Sequence, residues 1–177
     1  MKTTNILGGL SALAGVLVLS GCLSTDTSGT RDHADEQGDP RSLAIEAMLE
    51  ELYAAFCFTP GGRLDWGRLR SLFADGAVFV APFAEGASPV ASGAEAFIRD
   101  FKSFIESSPL KDTGFTERIL HSRVEVAGTI GHAWVTFEGY RPGEKQALTR
   151  GIDSIQLVLD HGNWKLLSFT TQYESNH

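Results

Sequence analysis

The stretch Arg150–Phe169, RGIDSIQLVLDHGNWKLLSF, carries the residue whose chemistry is least expected for its place. It reads as two β-strands joined at His161-Gly162-Asn163. Ile155, Leu157 and Leu159 share one face by alternation, and counting back by two puts Asp153 on that face. A carboxyl on an apolar face has its pKa raised, and while neutral it can donate a hydrogen bond. Tyr53 joins Ile45, Leu49, Leu52 and Phe56 in a helical stripe, so its ring should face inward and its hydroxyl needs a partner. Asp153 and Tyr53 could therefore anchor a ligand or a developing charge. Two other readings stay open. Asp153 could accept bonds from Arg150, Tyr53 or a backbone amide and fix the fold, or a bulge at Gly151 could turn it outward.

Further candidates are His121, Arg123 and Glu125, which share one strand face opposite Val124 and Val126. That face lines a pocket or meets solvent. On HAWVTFEGY, His132, Trp134, Thr136 and Glu138 oppose Ala133, Val135 and Phe137, which suits a sheet covered on both sides. Glu85, in the loop after Pro82, is a spare carboxylate for acid–base work. Cys57 in AAFCF reads as an inert thiol in apolar surroundings. The sequence holds no HExxH, paired CxxC, phosphate-cradling glycine loop or GxSxG. Neither metal, nucleotide cofactor nor serine-hydrolase chemistry is expected.

The elements that must position these residues follow from periodicity. Apolar spacing predicts a helix of about 16 residues from Arg41, broken at Pro60-Gly61-Gly62. Asp65 then caps a short second helix with Leu69, Leu72 and Phe73 buried. Asp75-Gly76 turns the chain into the strand AVFVAPF. Ser92 and Glu95 have capping-box spacing ahead of a third helix with Phe97, Ile98, Phe101, Phe104 and Ile105 on its core face. After Gly114 four strands follow as an antiparallel meander. Helices first and strands after predict an α+β fold: three N-terminal helices on one face of a strongly curved antiparallel sheet.

The order of LFADGAVFVAP, SGAEAFIRDF, VEVAGTIGHAWVTFE and GIDSIQLVLDHGNWKLLSF resembles the nuclear transport factor 2-like, or SnoaL-like, superfamily, over roughly residues 43–173. The resemblance implies a sheet curled into a cone around a pocket closed by helices. Within that superfamily, comparison with ketosteroid isomerases places Tyr53 and Asp153 at the oxyanion-binding positions. It places Ala81, ahead of Pro82, where those enzymes keep their proton-shuttling aspartate. That base is missing, which speaks against a steroid-type isomerase. The pocket is then expected to be lined by Tyr53, Ala81, His121, Trp134 and Asp153.

The N-terminus sets the compartment. One Lys precedes an apolar run from Ile6 to Leu19, too short for a membrane span and suited to a signal peptide. Leu19-Ser20-Gly21-Cys22 resembles the lipobox of bacterial lipoproteins, which implies cleavage before Cys22, acylation of that residue and a membrane anchor. Leu23 takes the place where an Asp would resemble the inner-membrane retention signal, so the expected location is the outer membrane with the domain in the periplasm. Residues 1–21 thus read as leader, 22–40 as a polar tether and 41–177 as the cone domain. A net charge of −7 without a Lys/Arg cluster argues against nucleic acid. Three functions remain: a lipid-anchored module holding a small, largely apolar ligand; an isomerase, dehydratase or hydrolase using Asp153 with His121 or Glu85; and a homodimeric interaction domain.

Overall fold

The computed structural model describes residues 39–82 and 87–174. The leader, Cys22, most of the tether and Glu85 lie outside the described residues. Asp39 and Pro40, read as the end of the tether, instead open the first helix. α1 (Pro40–Ala55) has Pro40 in its first turn, and the Asp39 side chain accepts from the Arg41 amide at 3.0 Å. Its buried row is Ile45, Met48, Leu49, Leu52 and Tyr53. α2 (Trp66–Ser71) is capped by Asp65, which accepts from the Arg68 amide at 2.9 Å.

Phe73 does not close α2 but starts β1 (Phe73–Val80), where it packs at 3% exposure. Asp75-Gly76 sits inside that strand, at a break in register. A three-residue strand, β2 (Ala91–Gly93), precedes α3 (Ala94–Ser107). Gly93, not Ser92, is the N-cap of α3, and no side chain caps it, because Ser92 is held in β2. On α3, Phe97, Ile98 and Phe101 pack against the core, whereas Phe104 is 54% exposed. α4 (Leu110–Thr113) is a single turn before the meander of β3 (Thr116–Ala127), β4 (Ile130–Tyr140), β5 (Thr149–Asp160) and β6 (Asn163–Tyr173).

The six strands form one sheet in the order β2-β1-β6-β5-β4-β3. Every pairing is antiparallel except β1 with β6, which is parallel. The fold is α+β, with helices against a curved, unclosed sheet. Its core joins α1 to the inward rows Ala133, Val135 and Phe137 of β4, Ile155 and Leu157 of β5, and Leu166 of β6. A reciprocal backbone pair, Phe58 with Phe115, ties the end of α1 to the start of β3 at 2.9 Å each way. Gly114 makes that approach: its φ is +76°, and a Cβ there would lie 2.7 Å from the Phe58 carbonyl oxygen.

β3 contains the irregularity that matters most for the site. Ile119 pairs with Phe137 and His121 with Thr136, so Leu120 is an extra residue. Such a bulge reverses which side chains face the core. Beyond it Ser122, Val124 and Val126 face inward; before it Glu117 and Ile119 do.

Candidate functional site

The inner face near the end of the cone gathers four ionisable side chains from four elements. Tyr53 comes from α1, Glu117 from β3, Asp153 from β5 and Tyr173 from β6. The β4–β5 register is unbroken from Ile130↔Val158 to Gly139↔Thr149, so no bulge at Gly151 turns Asp153 away. Asp153 is 2% exposed, as is Tyr53. The Tyr53 hydroxyl donates to Asp153 Oδ2, joining residues 100 positions apart. Asp153 Oδ1 is buried and has no hydrogen-bond partner among the described residues. Thr171 lies directly across on β6 and favours the ionised carboxyl, yet its hydroxyl closes no hydrogen bond to Oδ1.

Desolvation pushes Asp153 up to about 6, against the opposing effects of Tyr53 and Thr171. Glu117 is half-buried, and its side chain forms no hydrogen bond or ion pair among the described residues. Desolvation first, and the Asp153 charge second, raise it to about 8. Tyr173 is pushed up to about 12 by burial and by the charges of Glu117 and Asp153. Tyr53 is held well above the usual phenol range, chiefly by burial. The two carboxyls therefore titrate as a pair, with one proton between them near neutral pH.

Aromatic rings wall the group. Tyr53 and Phe137 lie 6.1 Å apart, and Phe137 meets Tyr173 edge-on at 6.2 Å. Gly139 and Gly151 give the rings their places: a Cβ on Gly139 would lie 2.7 Å from the Phe115 ring, and one on Gly151 2.9 Å from the Phe137 ring. Below Asp153 the interior is filled by Ile155, Leu157, Leu166, Val135 and α1. At the outer edge of the group Tyr173 is 45% exposed. Two surface cavities of about 690 and 440 Å³ lie elsewhere, one against Trp66 and Lys102, the other against Tyr140 and Lys145.

Cys57 aligns two members of the site. Its Sγ donates to the Tyr53 carbonyl at 3.3 Å and accepts from the Glu117 amide at 3.2 Å, and burial raises its pKa. A thiol so placed is a structural clamp between α1 and β3.

Three expected pocket residues stand elsewhere. His121 is exposed on the outer face of β3, on the far side of the bulge from Glu117, and cannot assist Asp153. Trp134 is outward on β4 and 43% exposed, since Ala133, Val135 and Phe137 hold the inner row. Ala81 follows the end of β1 and is exposed. Arg150 also points outward. With Arg118 and the Tyr140 hydroxyl it encloses Glu138, which is 5% exposed. Those three hydrogen bonds, Tyr140 foremost, hold Glu138 down to about 2. Among the described residues, no His, Cys, Asp and Glu are grouped to hold a metal ion, and no helix is long and apolar enough to cross a membrane.

Solved structures place this architecture. An NTF2-like protein from Pseudomonas putida superposes with a TM-score of 0.61 at 12% identity, over 77% of this chain and 88% of that one. The β subunit of an assigned aromatic-ring-hydroxylating dioxygenase from Novosphingobium aromaticivorans gives 0.57 at 15% identity, over 77% and 91%. An assigned scytalone dehydratase from the same organism gives 0.56 at 14% identity, over 76% and 85%. The fold is that of the NTF2-like, SnoaL-like proteins. No protein-family model matches the sequence, and no curated protein does.

Proposed function

We propose that the chain is a lipid-anchored envelope protein that binds a small, largely apolar ligand at the Tyr53–Asp153 end of its cone. The observation that carries this reading is Asp153 Oδ1, a buried carboxyl oxygen without a partner among the described residues. Such an atom costs stability unless something satisfies it, and an incoming hydrogen-bond donor would. Phe137 and Tyr173 supply an apolar wall for the rest of the molecule. The packed interior below Asp153 limits the ligand to a small one. Anchoring through Cys22 is supported by the apolar leader and Leu19-Ser20-Gly21-Cys22.

The fold serves both enzymes and enzyme subunits among its structural relatives, at identities that transfer neither role. An acid–base enzyme built on Asp153 with His121 is disfavoured, because His121 lies on the other face of the sheet. Native mass spectrometry of the purified full chain tests the ligand reading. A bound small molecule, lost from Asp153→Asn, supports it; a bare polypeptide mass with no small molecule retained contradicts it.

A second reading has its own observation. Leu120, Trp134 and Ile152 are 40–44% exposed and neighbour one another on the outer face through Thr136. A contiguous apolar patch of this kind suits a second copy of the chain. Light scattering on the full chain should then give a dimer that Trp134→Glu dissociates, and a monomer in the parent protein would contradict it.

A further inference from the structure

The interior carries acid without base. On the inward rows, β3 contributes Glu117, Ile119, Ser122, Val124 and Val126, and β5 contributes Gly151, Asp153, Ile155 and Leu157. The facing elements add Tyr53, Phe137, Thr171 and Tyr173. Among the described residues no Lys, Arg or His faces this group; Arg118, Arg123 and Arg150 are all on the outer side and are engaged with Glu138 or Glu125. Buried carboxylates in folded proteins are normally paired with cations or metals. Here buried Asp153 and half-buried Glu117 share the inner face, and Asp153 Oδ1 has no partner among the described residues. Three aromatic rings, Tyr53, Phe137 and Tyr173, stand next to them.

We infer that the ligand is an organic ammonium ion, its nitrogen seated between Asp153 and Glu117 and its apolar body against Phe137 and Tyr173. This rests on the small-ligand reading above and specifies it. An ammonium has three donors and no acceptor, which matches an acceptor-only oxygen better than a hydroxyl does. Its charge replaces the missing cation, and aromatic rings next to it add cation–π attraction. A carboxylate or phosphate ligand would place a third negative group among acids and is excluded on charge. At neutral pH the carboxyl pair carries close to one negative charge, so a monocation gives a neutral complex.

The groups facing the pair are Tyr53 from α1, Thr171 and Tyr173 from β6 and each carboxyl for the other, and none of them is cationic. Amine affinity should therefore rise with pH through about 6, as Asp153 gives up its proton, and again through about 8, as Glu117 does.

The test uses the full chain and two probes of nearly equal shape, 2-phenylethylamine and 2-phenylethanol, followed by calorimetry. At about pH 7 the amine should bind at least about tenfold more tightly than the alcohol. At about pH 9, where both carboxyls are ionised, Glu117→Gln should lower amine affinity by about tenfold and leave the alcohol little changed. Circular dichroism on that variant checks that it is folded, and Glu117→Asp, which keeps the charge, should retain most of the amine preference. Equal binding of the two probes, or an amine affinity indifferent to Glu117→Gln, would overturn the inference and leave the small-ligand reading standing. Binding of neither probe also overturns it, and the small-ligand reading falls with it only if mass spectrometry finds no retained molecule either.

Discussion

Tyr53 on α1 donates its hydroxyl to Asp153 Oδ2 on β5, while Asp153 Oδ1 has no hydrogen-bond partner among the described residues. The pair joins the first helix to the fifth strand at the point where the cone stops being solid core. Its two oxygens differ: Oδ2 is satisfied from within the fold, and Oδ1 is left for something else. That asymmetry is the feature on which the proposed anchoring role rests, since buried polar atoms in folded proteins usually find a partner.

Replacing Tyr53 with Phe removes the donor and leaves both carboxylate oxygens unpartnered. Where Asp153 is ionised, at about pH 8, chemical denaturation should show a loss of about 2 kcal/mol. At about pH 5, where Asp153 is neutral, the loss should be smaller, about 1 kcal/mol. An equal loss at both values would mean that the bond does not depend on the Asp153 charge.

Stability itself should run against the usual direction across neutral pH. Asp153 holds its proton in the folded state up to about 6, whereas its unperturbed value is 3.8. The folded state thus loses ground as pH rises from about 4 to 6, and through Glu117 it loses more up to about 8. The opposite group is Glu138, held down to about 2, whose contribution is present above about 4.5 and disappears as pH falls towards 2. The melting temperature should therefore peak at about pH 4 and decline towards pH 8. Asp153→Asn should raise stability at about pH 8 by up to about 3 kcal/mol and change little at about pH 4. A melting temperature that climbs from pH 5 to pH 8 would contradict the desolvated state of both carboxyls.

The acid limb should belong to Glu138. Glu138→Gln keeps the shape but weakens the bonds to Arg118, Arg150 and Tyr140, so it should lower the melting temperature at neutral pH. It should also flatten the fall below about pH 4. Thermal scans from pH 2 to 7 compare the two proteins, and parallel curves would remove Glu138 from the acid transition.

Close packing of the rings makes a further prediction. A Cβ at Gly151 would lie 2.7 Å from the Gln172 carbonyl oxygen as well as 2.9 Å from the Phe137 ring, and the backbone atom cannot swing away. Gly151→Ala should cost about 1–3 kcal/mol by urea denaturation, through overpacking. A neutral substitution would show that the ring and strand have room to separate.

How much of this was legible in the sequence depends on alternation surviving along each strand. It survives in β5, so Asp153 could be placed on the core face by counting from Ile155 and Leu157. Helical spacing likewise placed Tyr53 inward. In β3 the count fails: stepping back by two from Val126 and Val124 puts Glu117 outside with His121, and only the extra residue at Leu120 brings it in. A bulge has no composition signal here, since Leu120 is neither Gly nor Pro, so alternation hides Glu117 and points to His121 instead. Trp134 was ambiguous because both faces of β4 carry large side chains. The burial of Glu138 was hidden as well, because its cover comes from Arg118 and Arg150 on the two flanking strands. Phe73 read as helical because it extends the spacing of Leu69 and Leu72, but pairing with Leu166 drew it into β1.

Cys22 is open to a direct test. Cells fed a labelled fatty acid should incorporate it into the full chain and not into Cys22→Ala, which should leave the membrane fraction. Label in both proteins, or in neither, would remove the proposed anchor.

The cone end is expected to hold two carboxyls raised by desolvation, with no cation facing them among the described residues. Carbon-13 NMR titration of the labelled carboxyl groups, assigned with Asp153→Asn and Glu117→Gln, measures this directly. Asp153 should titrate at about 6 and Glu117 at about 8, Glu117 moving down in Asp153→Asn and both moving down when an amine is bound. Midpoints near the ordinary carboxyl values of 3.8 and 4.5, with Glu117 unmoved by Asp153→Asn, would show a wet and independent pair and contradict this arrangement.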